Sequence, residues 1–302
     1  MASWSKRISL LVINSHNNLV TPDDPDFSYF FDLLESYGYK VHVTDSKSKI
    51  NALSLEKIRT VIIGVPQNSY LLLDEISELL NFVRKGGSLF ILHRYGGDFI
   101  QKTNLNELTS HFGIYFENSV VKDSENLGKE VLPQITSFSS DNMMNNLHKL
   151  VFPGTCSLRL AKNAQLLCKS SKNSWVEIFN PHKFEWDKYN SSETYSETYP
   201  VAAYAIYGQG RVICVGTSDF LTTEPIYGLN SLDNKKFCLN ILKWLMNPVS
   251  QMEIGDWTLQ QLGIISEDLL LLKSDIKQFH ELMDLFDKRI RDLEFKIFSE
   301  KK

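Results

Sequence analysis

The most regular pattern of apolar positions lies near the C-terminal end of the chain. Between residues 269 and 297, apolar side chains recur at steps that alternate three and four residues without interruption. This spacing is the a/d pattern of a coiled coil. A single helix with such a stripe must bury it against its own domain or against another chain. The predicted seam comprises Leu269, Leu272, Ile276, Phe279, Met283, Phe286, Ile290, Leu293 and Ile297.

The positions that flank the seam favour pairing between chains. Arg289 falls at g and Glu294 at the following e, where they could form an ion pair between parallel chains, and Asp275 and His280 could do so weakly. Leu282 at g widens the apolar stripe, and two phenylalanines at d are bulky for a tight dimer. We therefore expect assembly with a second copy or with another protein. The alternative is a helix that folds back on its own domain.

The first hundred residues alternate between two other periodicities. Short apolar runs predict buried strands, and apolar residues at helical spacing predict helices between them. The predicted strands are Ile8–Ile13, Lys40–Val43, Thr60–Gly64 and Ser88–Leu92, and the predicted helices run from Pro25 to Gly38 and over Leu72–Val83. Strands that alternate with helices in this way predict parallel pairing in a doubly wound, flavodoxin-like α/β sheet.

The rest of the chain up to residue 248 is less regular. Short β-like runs at Leu166–Lys169 and Trp175–Phe179 precede a polar segment, Lys188–Glu197, that predicts an exposed loop. A hairpin over Val201–Tyr207 and Arg211–Gly216 and a helix over Asn234–Leu245 follow. We expect an α/β domain over residues 1–248, a linker over 249–263 and a coiled-coil helix over 264–302.

Composition narrows the function classes. The chain has 302 residues, 43% of them hydrophobic, and a formal net charge of −4 with no basic block, which disfavours a nucleic-acid partner. The apolar run near the N-terminus is too short for a signal-peptide core or a membrane span, so a cytoplasmic location is expected. Four widely spaced cysteines form no C-x-x-C and no zinc spacing with histidine. We therefore expect no metal and no cofactor.

Three segments carry a resemblance to a known family: Leu73–Leu92, the hairpin Tyr204–Asp219 and the closing helix Asn234–Leu245. Together they resemble the GIFT domain, which is shared by gliding-motility transporter accessory proteins and an intraflagellar transport subunit. That domain is similar in fold to class I glutamine amidotransferases. The resemblance spans roughly residues 8–247 and implies an amidotransferase-like sheet.

The resemblance also implies that catalysis is absent. The amidotransferases hold a cysteine on a sharp turn between a strand and a helix, with a histidine partner. Here the strand Ser88–Leu92 runs into His93 and Arg94 with no cysteine nearby, and no G-x-S-x-G or G-x-C-x-G occurs. We therefore expect a non-catalytic scaffold or adaptor of the intraflagellar-transport type. The alternatives are an amidotransferase-like hydrolase and a module that binds a sugar or a nucleotide.

Ligands of open α/β sheets bind beyond the carboxyl ends of the strands. His93, at the end of the fourth predicted strand, could act as a general base or bind an anion. It could equally be a structural residue that is hydrogen-bonded to a neighbouring loop. The polar residues at these strand ends can also be ordinary turn and cap formers. The candidate ligand rim comprises Asn14, His16, His93, Arg94, Gly96, Ser218 and Asp219.

Overall fold

The computed structural model describes residues 9–161, 163–180, 182–188 and 198–299; for residues 292 and 294–299 the description covers the backbone alone. The chain divides into two compact units, the first ending at Ile254 and the second beginning at Gly255. Ile8 and residues 189–197, which the sequence assigns to the first strand and to a loop, lie outside the described residues.

The first unit is built on a central sheet with strands from both halves of the domain. The strands of the described residues are β1 Ser9–Val12, β2 Lys40–Val43, β3 Thr60–Gly64, β4 Ser88–Leu92, β5 Ile114–Phe116, β6 Ser119–Asp123, β7 Gln134–Ile135, β8 Ser137–Phe138, β9 Leu150–Val151, β10 Leu158–Leu160, β11 Gln165–Lys169, β12 Ser174–Asn180, β13 Glu185–Lys188, β14 Pro200–Tyr207 and β15 Gly210–Val215. The eight-stranded sheet has the order β2-β1-β3-β4-β15-β14-β11-β8.

Helices flank this sheet and one helix follows it. They are α1 Ser28–Ser36, α2 Ala52–Leu55, α3 Leu73–Arg84, α4 Gly97–Gln101, α5 Leu105–Thr109, α6 Asn234–Met246 and α7 Gln251–Ser299. Within the described part of the chain, no helix is both long enough and apolar enough to cross a bilayer.

The sheet is doubly wound, as the alternating strands and helices predict. Leu10 and Val12 of β1 pack in the same hydrophobic cluster as α1 and α6, whereas Leu11 packs with α2, α3 and α5 on the opposite face. The same alternation runs through β3, β4 and β15, because successive side chains of a strand point to opposite faces. Continuous apolar runs therefore mark strands that are buried on both sides.

Parallel pairing holds for only part of the sheet. β2, β1, β3, β4 and β15 pair in parallel, in the strand order of a flavodoxin-like fold. The predicted hairpin then reverses the chain, so β14, β11 and β8 continue the sheet antiparallel. The sheet is therefore mixed, because a tight hairpin connects only antiparallel neighbours.

The less regular middle of the chain builds smaller sheets beside the central one. β6, β12 and β13 form a three-stranded antiparallel sheet, and β5 pairs with β10. The acidic-aromatic segment after Phe184 forms strand β13. Its backbone N–H and C=O groups are satisfied by pairing with β12, and a local sequence pattern does not reveal this pairing.

The segment 249–263, predicted as a linker, is helical from Gln251 onward. Ser250 and Glu253 explain where α7 begins, because the Glu253 carboxylate accepts the Ser250 backbone N–H at 2.7 Å and the Ser250 hydroxyl accepts the Glu253 N–H at 3.2 Å. This reciprocal pair is a capping box. The glycines at 255 and 263 do not interrupt the helix.

Candidate functional site

The predicted rim residues at the ends of β4 and β15 lie side by side, because these two strands are neighbours in the sheet. His93 is fully buried, and its Nε2 lies 3.0 Å from Oδ1 of Asp98. Its Nδ1 accepts the backbone N–H of Arg94 at 2.9 Å. A backbone N–H can only donate, so the proton sits on Nε2 and points at Asp98. Both ring nitrogens of His93 are therefore engaged.

Asp98 fixes the position of the His93 ring. Besides His93, its carboxylate accepts the backbone N–H groups of Leu105 and Asn106 at 3.0 and 2.9 Å, at the first turn of α5. The His93 ring also packs on Phe116, with ring centroids 4.6 Å apart. The geometry matches the structural alternative for His93: the side chain ties the end of β4 to α4 and α5.

Arg94 and Asp219 form the polar link between the two strand ends. Nη2 of Arg94 lies 2.8 Å from Oδ2 of Asp219, and both side chains are about three-quarters buried or more. The Ser218 hydroxyl donates to the other carboxylate oxygen of Asp219 at 3.1 Å. Within the described residues, Nε of Arg94 is buried without a partner. This ion pair therefore retains an unused donor.

Gly96 serves chain packing at this site. Its φ of +76° is in the left-handed region, and a Cβ there would collide with the side chain of Ile100. The Gly96 N–H donates to the carbonyl of Ser119 at 2.7 Å. Because glycine has no Cβ, the chain can turn sharply into α4 here and pass close to the Ile100 side chain of that helix.

Asn14 and His16 belong to a second network, at the end of β1. His16 Nε2 lies 3.0 Å from Oε1 of Glu75, and its Nδ1 lies 3.2 Å from the Ser69 hydroxyl. The backbone N–H of Asn14 donates to the hydroxyl of Thr44 at 2.8 Å. The rim predicted from strand ends therefore consists of two groups with separate hydrogen-bond partners.

Glu75 is the residue of this network that strand-end reasoning missed. Its side chain is fully buried on α3. Burial alone would raise its pKa, yet hydrogen bonds from the Leu72 N–H, from His16 and from the Ile50 N–H outweigh burial and lower the pKa below 4.5. The carboxylate is thus anionic and anchors three segments. A Glu three residues into a helix was the available signal, since that position caps the helix start.

A cavity of about 450 Å³ opens beside the Arg94–Asp219 pair, within the size range of small-molecule sites. Tyr95 and Trp186 lie in its wall with ring centroids 6.2 Å apart, and Lys122 pairs with Glu177 at 2.8 Å. Burial, followed by the charges of Glu224 and Asp219, raises the pKa of Tyr227. The lining includes Tyr95, Lys122, Lys129, Glu177, Trp186, Asp219 and Tyr227.

The sequence predicted Asp219 at a strand end, and the structure places it in the wall of this cavity. The opposite polar wall was not predicted. Lys122 lies on β6 and Trp186 on β13, far apart in sequence. Only the small antiparallel sheet brings them together. His93 is not part of the cavity lining.

All four cysteines are buried and reduced. Burial raises the pKa of each thiol well above its ordinary value, and the charge of Asp98 adds to this effect at Cys156. The hydrogen bonds of His93 go to Asp98 and to the backbone of Arg94, not to a thiol or hydroxyl. Within the described residues, no group of three or more His, Cys, Asp or Glu side chains is placed to hold a metal ion.

The predicted seam lies on α7. Its eight described side chains, Leu269 to Leu293, are between 49% and 63% exposed. The side chain of the ninth, Ile297, lies outside the described residues. Leu262 and Ile265, also exposed, extend the same a/d spacing toward the N-terminus. The apolar stripe therefore starts inside the segment predicted as a linker.

The amino-acid sequence shows to which protein family the chain belongs. The family described as "Domain of unknown function (DUF4350)" matches residues 27–242, which is well over half of the chain. The chain belongs to the DUF4350 family. No curated protein matches this DUF4350 chain at a significant level.

Solved structures show which fold this DUF4350 domain has. It is similar to the "mmIFT52 N-terminal domain" at 16% identity and a TM-score of 0.63, over 79% of this chain and 97% of that one. Two proteins described as "Cytoplasmic Protein", from Salmonella typhimurium LT2 and Salmonella typhimurium, match at 12% and 10% identity with TM-scores of 0.53. They cover 80% and 79% of this chain and 100% and 98% of theirs. The α/β fold expected from the resemblance to the GIFT domain is thus confirmed.

Proposed function

We propose that this DUF4350 protein is a non-catalytic scaffold or adaptor that assembles through α7, in the manner of intraflagellar-transport-type GIFT proteins. The carrying observation is a helix of 49 residues whose a/d side chains remain about half exposed or more. Exposed apolar stripes of this length mark interaction surfaces, because leaving them in water is costly. The fold shared with the "mmIFT52 N-terminal domain" is consistent with this function.

The strand-end chemistry supports a non-catalytic function. An amidotransferase-like hydrolase needs a nucleophile next to a free general base. Both ring nitrogens of His93 are hydrogen-bonded, one to Asp98 and one to the Arg94 backbone. Those of His16 are hydrogen-bonded to Glu75 and Ser69. The thiols are buried, with raised pKa values. Each candidate base or nucleophile is thus already committed to the fold.

The experiment is co-purification with seam variants. Ile276→Asp together with Ile290→Asp places two carboxylates in a seam from which assembly would exclude water. An unpaired buried charge is strongly unfavourable. We expect the double variant to run as a smaller species or to lose its co-purifying partner. The matched control is Lys277→Asp with Arg291→Asp, which changes two b positions of the same helix, outside the seam. A wild-type monomer with no recovered partner contradicts the proposal.

The cavity beside Arg94 and Asp219 supports a second candidate function, binding of a sugar or a nucleotide. Aromatic faces next to charged groups suit both ligand classes, since rings stack on bases and sugars while charges orient them. Calorimetric titration with AMP and with glucose tests it. Saturable binding that Trp186→Ala abolishes supports this candidate. No heat with either probe, on protein that retains its fold, contradicts it.

A further inference from the structure

We propose that α7 pairs with α7 of a second copy of this chain in an antiparallel, two-fold symmetric coiled coil centred between Phe279 and Met283. This inference rests on the proposed function and adds the identity of the partner of α7 and the relative orientation of the two helices. An antiparallel pair of equal helices is isologous, so one residue list describes both sides of the interface. The overlap from residue 269 to 293 is about 37 Å long at 1.5 Å per residue.

The sizes of the seam side chains favour this orientation. In an antiparallel pair each a residue faces a d residue of the other helix, whereas in a parallel pair a faces a and d faces d. A parallel pair would stack Phe279 on Phe279 and Phe286 on Phe286. The antiparallel register instead sets each large ring against a slimmer side chain. Its layers are Phe279 with Met283, Ile276 with Phe286, Leu272 with Ile290 and Leu269 with Leu293.

The charges at e and g also fit this register. In an antiparallel pair, g positions face g positions and e positions face e positions. Asp275 then faces Arg289 of the second copy on one flank, and Lys273 faces Asp287 on the other. The two-fold axis doubles each pair, which gives four favourable ion pairs. Charges at e and g select partner and orientation more than they add stability.

Leu282 distinguishes the two orientations most clearly. It occupies a g position and is 55% exposed. In a parallel pair it would lie beside the carboxylate of Asp287 of the other chain, which is a mismatch. In the antiparallel register it lies across the axis from Leu282 of the second copy. The apolar contact then widens the seam at its centre, where a g residue is otherwise polar.

Disulfide trapping in the full-length protein tests orientation and register together. Leu269→Cys and Leu293→Cys are prepared separately, one with a size tag, and oxidised alone and as a mixture. We expect a cross-linked species of mixed size in the mixture, and no cross-linked dimer from either variant alone. The wild-type protein is the control for its four buried cysteines. A Leu269→Cys dimer formed alone shows a parallel pair and overturns the proposal.

Charge exchange gives an independent readout. Asp275→Arg should weaken self-association about tenfold, because two attractive pairs become repulsive. Adding Arg289→Asp to the same chain restores the pairs in the antiparallel register and should recover the association. In a parallel pair the same double variant sets the new arginine beside His280 and the new carboxylate beside Glu294, so association stays weak. Failure of the double variant to recover overturns the proposal.

Analytical ultracentrifugation separates this inference from the proposed function. A wild-type chain that stays monomeric up to high micromolar concentration overturns self-pairing. The proposed function is tested separately, by whether Ile276→Asp together with Ile290→Asp removes a co-purifying protein. A parallel dimer overturns the inference while leaving assembly through α7 intact.

Discussion

Nε2 of His93 donates to Oδ1 of Asp98 over 3.0 Å, and this bond joins the end of β4 to α4. The same carboxylate accepts two backbone N–H groups of α5. A histidine at a strand end, which resembles a catalytic base in the sequence, therefore acts as a hydrogen-bond donor within the fold.

Removing Asp98 should destabilise the protein. Asp98→Ala leaves the His93 N–H and two backbone N–H groups without their acceptor, at a cost of about 2–4 kcal/mol in the free energy of unfolding. Denaturant titration measures the loss. Asp32→Ala removes an exposed carboxylate from α1 and should change little. Equal stability of the Asp98 variant and the wild type would show that this hydrogen-bond network contributes nothing.

The buried Glu75 should make stability depend on acid pH. Its folded-state pKa lies below the value of 4.5 that it has when unfolded. The folded state therefore keeps the charged form, and this stability is fully present above pH 4.5 and lost as pH falls through the folded pKa. We expect Glu75→Gln to reduce stability at neutral pH, and the difference from wild type to shrink as the pH falls below 4.5.

Unfolding curves between about pH 3 and pH 7 test this dependence. Glu78→Gln, three residues further along α3, supplies the control for a change of charge on the same helix. A wild-type to Glu75→Gln difference that stays constant across this range would refute the assigned pKa shift.

The α/β domain should fold without the seam, and the first turn of α7 should add to its stability. Arg211 is nearly buried, and its Nη2 lies 3.0 Å from Oε2 of Glu253. A chain that ends at residue 256 keeps this pair, whereas one that ends at residue 250 leaves the guanidinium without it. We expect both chains to unfold cooperatively, with the shorter one less stable by about 1–3 kcal/mol.

Thermal unfolding of the two truncated chains measures this difference. Glu253→Gln in the chain that ends at residue 256 should reproduce most of the loss, which separates the ion pair from the helical turn. An insoluble or molten product from both chains would mean that the terminal helix belongs to the domain core.

The four cysteines should react slowly in the native protein. A thiolate is the nucleophile, and burial raises the pKa of each thiol, so the reactive form is scarce and shielded. We expect iodoacetamide at neutral pH to alkylate them only after denaturation, and glutamine to release no ammonia. One fast-reacting cysteine whose change to alanine removes a hydrolysis would establish an enzyme instead.

The periodic elements could be predicted from the sequence alone. The apolar runs of β3 and β4, the hairpin of β14 and β15 and helix α6 lie where the patterns place them, because the core forces a period of two or 3.6 on buried residues. The same reasoning placed His93, Arg94 and Asp219 at strand ends, and the structure shows that the two strands are neighbours. The long helix follows equally from its heptads.

Tertiary structure decided what those residues do. No local pattern shows that His93 meets Asp98, that His16 meets a buried Glu75, or that Trp186 closes a cavity beside Asp219. These contacts join segments whose pairing depends on sheet order and on the small antiparallel sheet. Periodicity reports which face of an element is buried, whereas hydrogen-bond partners depend on which elements become neighbours. The sequence thus determined the scaffold and its helix, and the packing determined the hydrogen-bond partners of the polar rim.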